Sequence, residues 1–177
     1  VVGTRRCSSY GLRQAARFSS ALAYAGITIV SGGARGIDAQ VHRSAMKAGG
    51  KTIAVMGSGL GIPYPPEHVG LFEDIVCAGG SLLSELSHHQ PPRPGQFPRR
   101  NRIVSGMSIG VLVIEAPRRS GAMITARMSI EDHDREVWAV PGSVENSNSA
   151  GGHEAISQWW ASLVESPNAL LQLLQDQ

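Results

Sequence analysis

The chain is 177 residues long, 42% apolar and 17% charged, with a formal net charge of +2. A chain of this size and composition buries roughly two-thirds of its unfolded surface, which excludes disordered and fibrous classes. No apolar run is long enough to span a membrane, no secretory leader is visible, and Cys7 and Cys77 are too few for a disulfide framework, which fits a reducing cytosol.

In chain order, "VVG" reads as a short strand, and "GLRQAARFSSALAYAG" has helical spacing with Gly26 as its stop. "ITIVSGG" is a run of β-branched residues without polar alternation, the pattern of a buried parallel strand. "GIDAQVHRSAMKAGG" predicts a helix closed by two glycines, and "KTIAVMGSG" a third strand. "YPPEHVGLFEDIVCAGG" predicts a helix opened by proline, a favoured first residue, and "SLLSEL" a fourth strand. The proline-rich "HHQPPRPGQFP" is a loop before the helix "RRNRIVSGMS". "IGVLVIEA" is a fifth strand, "GAMITARMSIEDHD" a helix and "EVWAVPG" a sixth strand. "VENSNSAGG" reads as a polar loop, followed by the helices "HEAISQWWASL" and "PNALLQLLQ". Strands alternating with helices of this length imply βαβ units: an α/β protein with a mainly parallel sheet between two helical layers. Residues 1–177 form one domain in this reading, and the opening on "VVGTRR" without Met suggests a piece of a longer protein.

Charge is distributed unevenly. Residues 1–66 carry eight Lys/Arg against one acid, Asp38, a local +7, while residues 131–177 carry eight acids against Arg135, a local −7. Fourteen of the sixteen cations are Arg, whose planar forks suit phosphate. The densest cluster, Arg99, Arg100 and Arg102 in "GQFPRRNRIVSG", has no acid between Glu85 and Glu115 to answer it.

In a parallel sheet ligands gather beyond the carboxyl ends of the strands. Those ends supply Gly3 and Arg5, then Ser31, Gly32, Arg35 and Gly36 of "SGGARGID", then Gly57, then Ser120, Gly121 and Thr125 of "RRSGAMIT". Small residues, free amides and arginines at helix starts make an anion site, so a phosphate-bearing ligand is expected. "SGGARGID" lacks the GxGxxG spacing and, alone, suits a tight βα turn better than a phosphate cradle. Proton-transfer candidates are Asp38, His42, Glu85 and Glu115, yet none forms a nucleophile–base pair at sequence level. The histidines show no metal spacing. No catalytic residue, metal or cofactor is therefore assigned.

The phrases "VGTRRCSSYG", "SGGARGID", "YPPEH", "FPRRNR" and "SGAMITA", in this order between Val2 and about Ser143, resemble the Rossmann-like domain of the DNA-processing protein A (DprA/Smf) family. The resemblance implies a three-layer, extended Rossmann-like fold in a bacterial cytoplasmic protein. It implies a single-stranded DNA binder that protects incoming strands in natural transformation, helps load the RecA recombinase and forms a homodimer. It also implies flanking helical and winged-helix domains. On the matching positions, Arg5 and Arg35 would meet phosphates with amides near Gly32 and Gly36. Phe97 would stack a base, Arg100 and Asn101 would contact phosphate and base edge, and Ser120, Gly121 and Thr125 would line the opposite wall. Many relatives carry Lys where Pro94 stands, leaving Arg93 as a substitute, and near the C-terminus His153 and Trp160 depart from the family pattern. The alternatives are a small-nucleotide sensor and a nucleotide-processing Rossmann enzyme, though the "PGGxGTxxE" stretch of the phosphoribohydrolases is missing.

Overall fold

A computed structural model describes residues 1–175. Its strands are β1 (Ile29–Ser31), β2 (Thr52–Val55), β3 (Ser81–Leu83), β4 (Gly110–Val113), β5 (Glu136–Ala139) and β6 (Ser162–Leu163). Its helices are α1 (Ser9–Tyr24), α2 (Ile37–Lys47), α3 (Val69–Cys77), α4 (Gln96–Gly106), α5 (Gly121–Glu131), α6 (Ala150–Ser157) and α7 (Pro167–Gln175). All strand pairs are parallel, in two runs ordered β1-β2-β3 and β4-β5-β6.

The N-terminal residues join the two runs. The Val1 nitrogen donates to the Val30 carbonyl at 2.9 Å. On the other side, the Val2 amide donates to Leu112 at 2.9 Å and the Ile114 amide to Val2 at 3.1 Å. The expected first strand is thus reduced to a bridge between Val2 and Val113, but it occupies the middle of the sheet. Chain order reverses here, which makes the adjoining strand ends the switch-point crevice.

The continuous apolar runs have a simple cause. Successive strand side chains point to opposite faces, and both faces are covered by helices. In and just after β4, Val111 and Val113 join a cluster with Val104, Met123 and Ala126 beneath α4 and α5. Leu112 and Ile114 join the opposite cluster with Phe18, Leu22, Val41 and Leu170 beneath α1, α2 and α7. A third cluster, Met56, Leu71, Phe72 and Ile75, seats α3. The three-layer α/β architecture expected from the alternation is the one observed.

Three element boundaries differ from expectation. Helix α4 starts at Gln96, so Phe97 and Pro98 belong to its first turn instead of the preceding loop. The helix expected over "HEAISQWWASL" is split: α6 ends at Ser157, Trp159 turns left-handed at φ 62°, and Ser162 and Leu163 pair with Trp138 and Ala139 of β5. The open edge of β5 supplies backbone partners that helical spacing cannot reveal. The start of "YPPEHVG" is a 3₁₀ turn, Pro66–His68, that leads into α3.

Candidate nucleic-acid interface

The strand ends on either side of the N-terminal segment open into a cleft of about 670 Å³. Each of its walls has a local cause in the sequence. The Ser120 hydroxyl caps α5 by accepting from the Met123 amide at 3.3 Å. The first amides of a helix have no intrahelical acceptor, so Gly121 and Ala122, which line the cleft, bring it a positive helix end. Thr125, one turn on, also lines the cleft, while its hydroxyl donates back to the Gly121 carbonyl at 3.1 Å.

The opposite wall is aromatic. Phe97 on α4 is half-buried, with its ring 5.5 Å from that of Tyr64 at a 51° tilt. Gly57 leaves room for it: a Cβ there would fall 2.6 Å from Phe97 Cδ1. The Arg5 guanidinium stands over Phe97 at 5.5 Å and that of Arg35 over Tyr64 at 5.9 Å. Two neighbouring rings are thus flanked by a guanidinium at each end, and both rings line the cleft as surfaces on which a base can stack.

The floor is polar and buried. Arg100 is only 5% exposed; its Nη1 donates to the Gly32 carbonyl at 2.6 Å and also to that of Val55, and its Nε donates to Asn101 Oδ1 at 3.3 Å. Asn101 in turn donates to the Gly121 carbonyl at 3.1 Å, tying α4 to the start of α5. Asp38, 7% exposed, accepts from the Ala34 amide at 3.3 Å. Burial pushes its carboxyl above the usual range, and the nearby Arg100 charge opposes that shift.

The structure brings Gly3, Arg5, Gly32, Phe97, Arg100, Asn101, Ser120, Gly121 and Thr125 to this one cleft. Three expected contact residues stand behind its walls. Ser31 is buried and donates to the Val1 carbonyl. Gly36 lets α2 approach the N-terminal segment, since a Cβ would lie 2.5 Å from the Thr4 carbonyl oxygen. Gly57 supports Phe97 from beneath. Arg35 is not in the main cleft but in the adjoining notch with Tyr64, paired to Glu67.

The arginine cluster divides in a way the sequence hides. Arg102 pairs with Glu85, Arg99 approaches the same carboxylate at 3.7 Å, and Arg100 turns inward. Arg5, Arg6, Arg93 and Arg119 are the exposed guanidinium groups at the cleft, and none has an acidic partner among the described residues. Arg6, Arg119 and Tyr64 were not predicted as site residues. Arg119 stands in the doubled arginine of "PRRSG" before α5, but which of the two is free is decided by the Arg118–Glu154 pair, which the sequence does not show.

Of the proton-transfer candidates, Asp38 stands in the cleft floor and the other three lie apart from it. His42 is buried on the inner face of α2, and Glu85 is held by two arginines. Glu115 is buried beside the start of α1, where it accepts from the Ser8 amide at 2.9 Å, the Ser8 hydroxyl at 2.6 Å and Asn146 at 3.1 Å. Glu115 thus anchors a helix start.

Comparison with known proteins gives a consistent picture. The family model described as DNA recombination-mediator protein A matches residues 1–175. The protein Smf of Escherichia coli is 47% identical over 99% of this chain and 46% of its own length. The crystal structure of DNA processing protein A from Streptococcus pneumoniae superposes with a TM-score of 0.88 at 40% identity, over 97% of this chain and 59% of that one. The protein of the same name from Helicobacter pylori, described for its unique single-stranded DNA binding mode, superposes with a TM-score of 0.87 at 28% identity, over 99% of this chain and 79% of that one. The chain spans about half the length of the curated relatives it matches.

Proposed function

This chain belongs to the DNA recombination-mediator protein A family, and on that premise we propose that its cleft holds single-stranded DNA. One observation carries the reading: four exposed arginines with no acidic partner among the described residues line a cleft that has a wall of half-buried aromatic rings. The arginines suit a phosphate backbone and the rings suit unpaired bases, the pairing of features that defines sequence-tolerant single-strand binding. Duplex DNA keeps its base faces stacked and would use only the charges.

In this proposal Arg5, Arg6, Arg93 and Arg119 neutralise phosphates, Phe97 stacks a base and the α5 amides receive a further oxygen. Arg35 joins by exchanging Glu67 for phosphate. The pair is about half exposed on both sides, so water screens it and a phosphate can take the place of the carboxylate. The domain would work as a cytoplasmic homodimer. It would shield incoming single strands during natural transformation and pass them to the RecA recombinase. It would act as a binding protein, with no step of bond cleavage assigned to it.

Fluorescence anisotropy with labelled oligo-dT tests the assignment. Arg5→Glu, a change on an exposed side chain, is expected to weaken binding at least tenfold while leaving the circular dichroism spectrum unchanged. Wild-type affinity in the folded variant would sink the cleft assignment. Binding of mononucleotides but not oligomers would favour a small-nucleotide sensor.

A further inference from the structure

The floor of the cleft differs in chemistry from its rim. Arg100 and Asp38 reach it from α4 and α2 and meet above Gly32. A Cβ on Gly32 would fall 2.7 Å from Arg100 Nη2 and 2.8 Å from Asp38 Oδ2, so both groups lie over bare backbone as neighbours. Arg100 spends Nη1 and Nε on Gly32, Val55 and Asn101, but its Nη2 makes no hydrogen bond to any described residue. Both side chains line the cleft and both are more than nine-tenths buried. The cleft floor therefore presents one charged donor beside one carboxylate acceptor.

A phosphate is poorly matched to this pair, because the carboxylate repels it. The edge of an unpaired base is well matched, since it offers an acceptor and a donor side by side. The four bases differ in how well they fit. Guanine presents O6 to the arginine, then N1–H and the N2 amine, two parallel donors, to the carboxylate. Cytosine and adenine offer one amino group. Thymine offers a single N–H flanked by two carbonyls, one of which would face the carboxylate. Phe97 and Arg100 lie three residues apart on α4 and so share a helix face. A base stacked on the ring thus directs its edge toward the pair.

Resting on the single-strand reading above, we propose that the cleft floor is a base-edge subsite that prefers guanine, formed by Arg100 Nη2 and the Asp38 carboxylate. The rim would bind any strand, and the floor would favour registers that place a guanine there.

Competition against labelled oligo-dT tests this on the unaltered protein, with short competitors of thymine only, with one central guanine, or with one central inosine, which lacks the N2 amine. A lone guanine cannot form quadruplexes. The guanine competitor is expected to bind about tenfold more tightly than all-thymine, with inosine in between. Asp38→Asn, checked for folding by its melting curve, is expected to abolish the difference. Equal affinity for all three competitors would overturn the subsite and leave single-strand binding standing, and so would an unchanged guanine preference in folded Asp38→Asn. Failure of every oligonucleotide to bind would overturn the single-strand reading itself.

Discussion

His42 is wholly buried, and its Nδ1 lies 2.7 Å from the Thr52 hydroxyl, which itself donates to the Ile29 carbonyl at 2.7 Å. The hydroxyl can therefore only accept from the ring, which fixes the proton on Nδ1 and leaves Nε2 bare, with no partner among the described residues. Burial is the main reason its pKa falls from 6.5 to about 3. Below about pH 6.5 the unfolded chain takes up a proton that the native state refuses. Stability from this group is therefore complete above pH 6.5 and lost as pH falls toward 3, by up to about 1.4 kcal/mol per pH unit. Urea melts between pH 7 and 4 should show that slope, and His42→Gln should flatten it. Also at this scale, Phe97→Ala should weaken single-strand binding by about 1–3 kcal/mol with a smaller effect on duplex. Gly57→Ala should act in the same direction, because its methyl would displace the Phe97 ring. An unaffected affinity in Gly57→Ala would show that the ring position is unimportant. Phe97 was legible from its motif; Gly57's place beneath the ring was not, because that contact joins residues 57 and 97 through the fold.

Among the elements, α5 brings its N-terminal end to the cleft, where Gly121 and Ala122 line it. Ser120→Ala removes the cap and is expected to cost about 0.5–2 kcal/mol of stability. The same variant should weaken oligo-dT binding, since the capped end faces the cleft. A stability loss with unchanged affinity would separate the helix end from the ligand. Helix α4 shows why a run of like charges cannot be read as one unit. Its residues fan around the helix axis, so Arg99 and Arg102 reach Glu85, whereas Arg100 points to the floor. Within this cluster the family motif singles out Arg100 for a phosphate or base-edge contact. The structure gives it a buried setting with carbonyl partners, and the open charges come from the loops. The short β6 was invisible for the opposite reason. Two residues carry no periodicity, and their strand state exists only because β5 has a free edge to offer.

For the whole molecule, the charge imbalance along the chain becomes spatial. Arg5 and Arg6 from the basic start meet Arg93 and Arg119 at one cleft, while Glu154 of the acidic third takes up Arg118 and lies 3.9 Å from Arg127. If three or four phosphates are neutralised at the cleft, log affinity should fall against log salt with a slope of about −2 to −3. Anisotropy titrations across a salt series check this, and a flat response would exclude a phosphate-based site. Duplex and single strand should share part of the slope, whereas the aromatic contribution should persist at high salt.

The sequence alone determined the layer architecture, because alternation of apolar strands and amphipathic helices admits few packings. It also determined the family, because ordered motifs survive without coordinates, and it predicted which loops line one edge, because parallel strands put their carboxyl ends together. Tertiary structure alone decided the partner of each charge: Glu67 for Arg35, Glu85 for Arg99 and Arg102, main-chain carbonyls for Arg100, and no acid among the described residues for Arg5 or Arg119. The reason is physical. An ion pair or a buried donor is settled by distances of a few ångströms between residues far apart in the chain, and a local pattern carries no information about those distances.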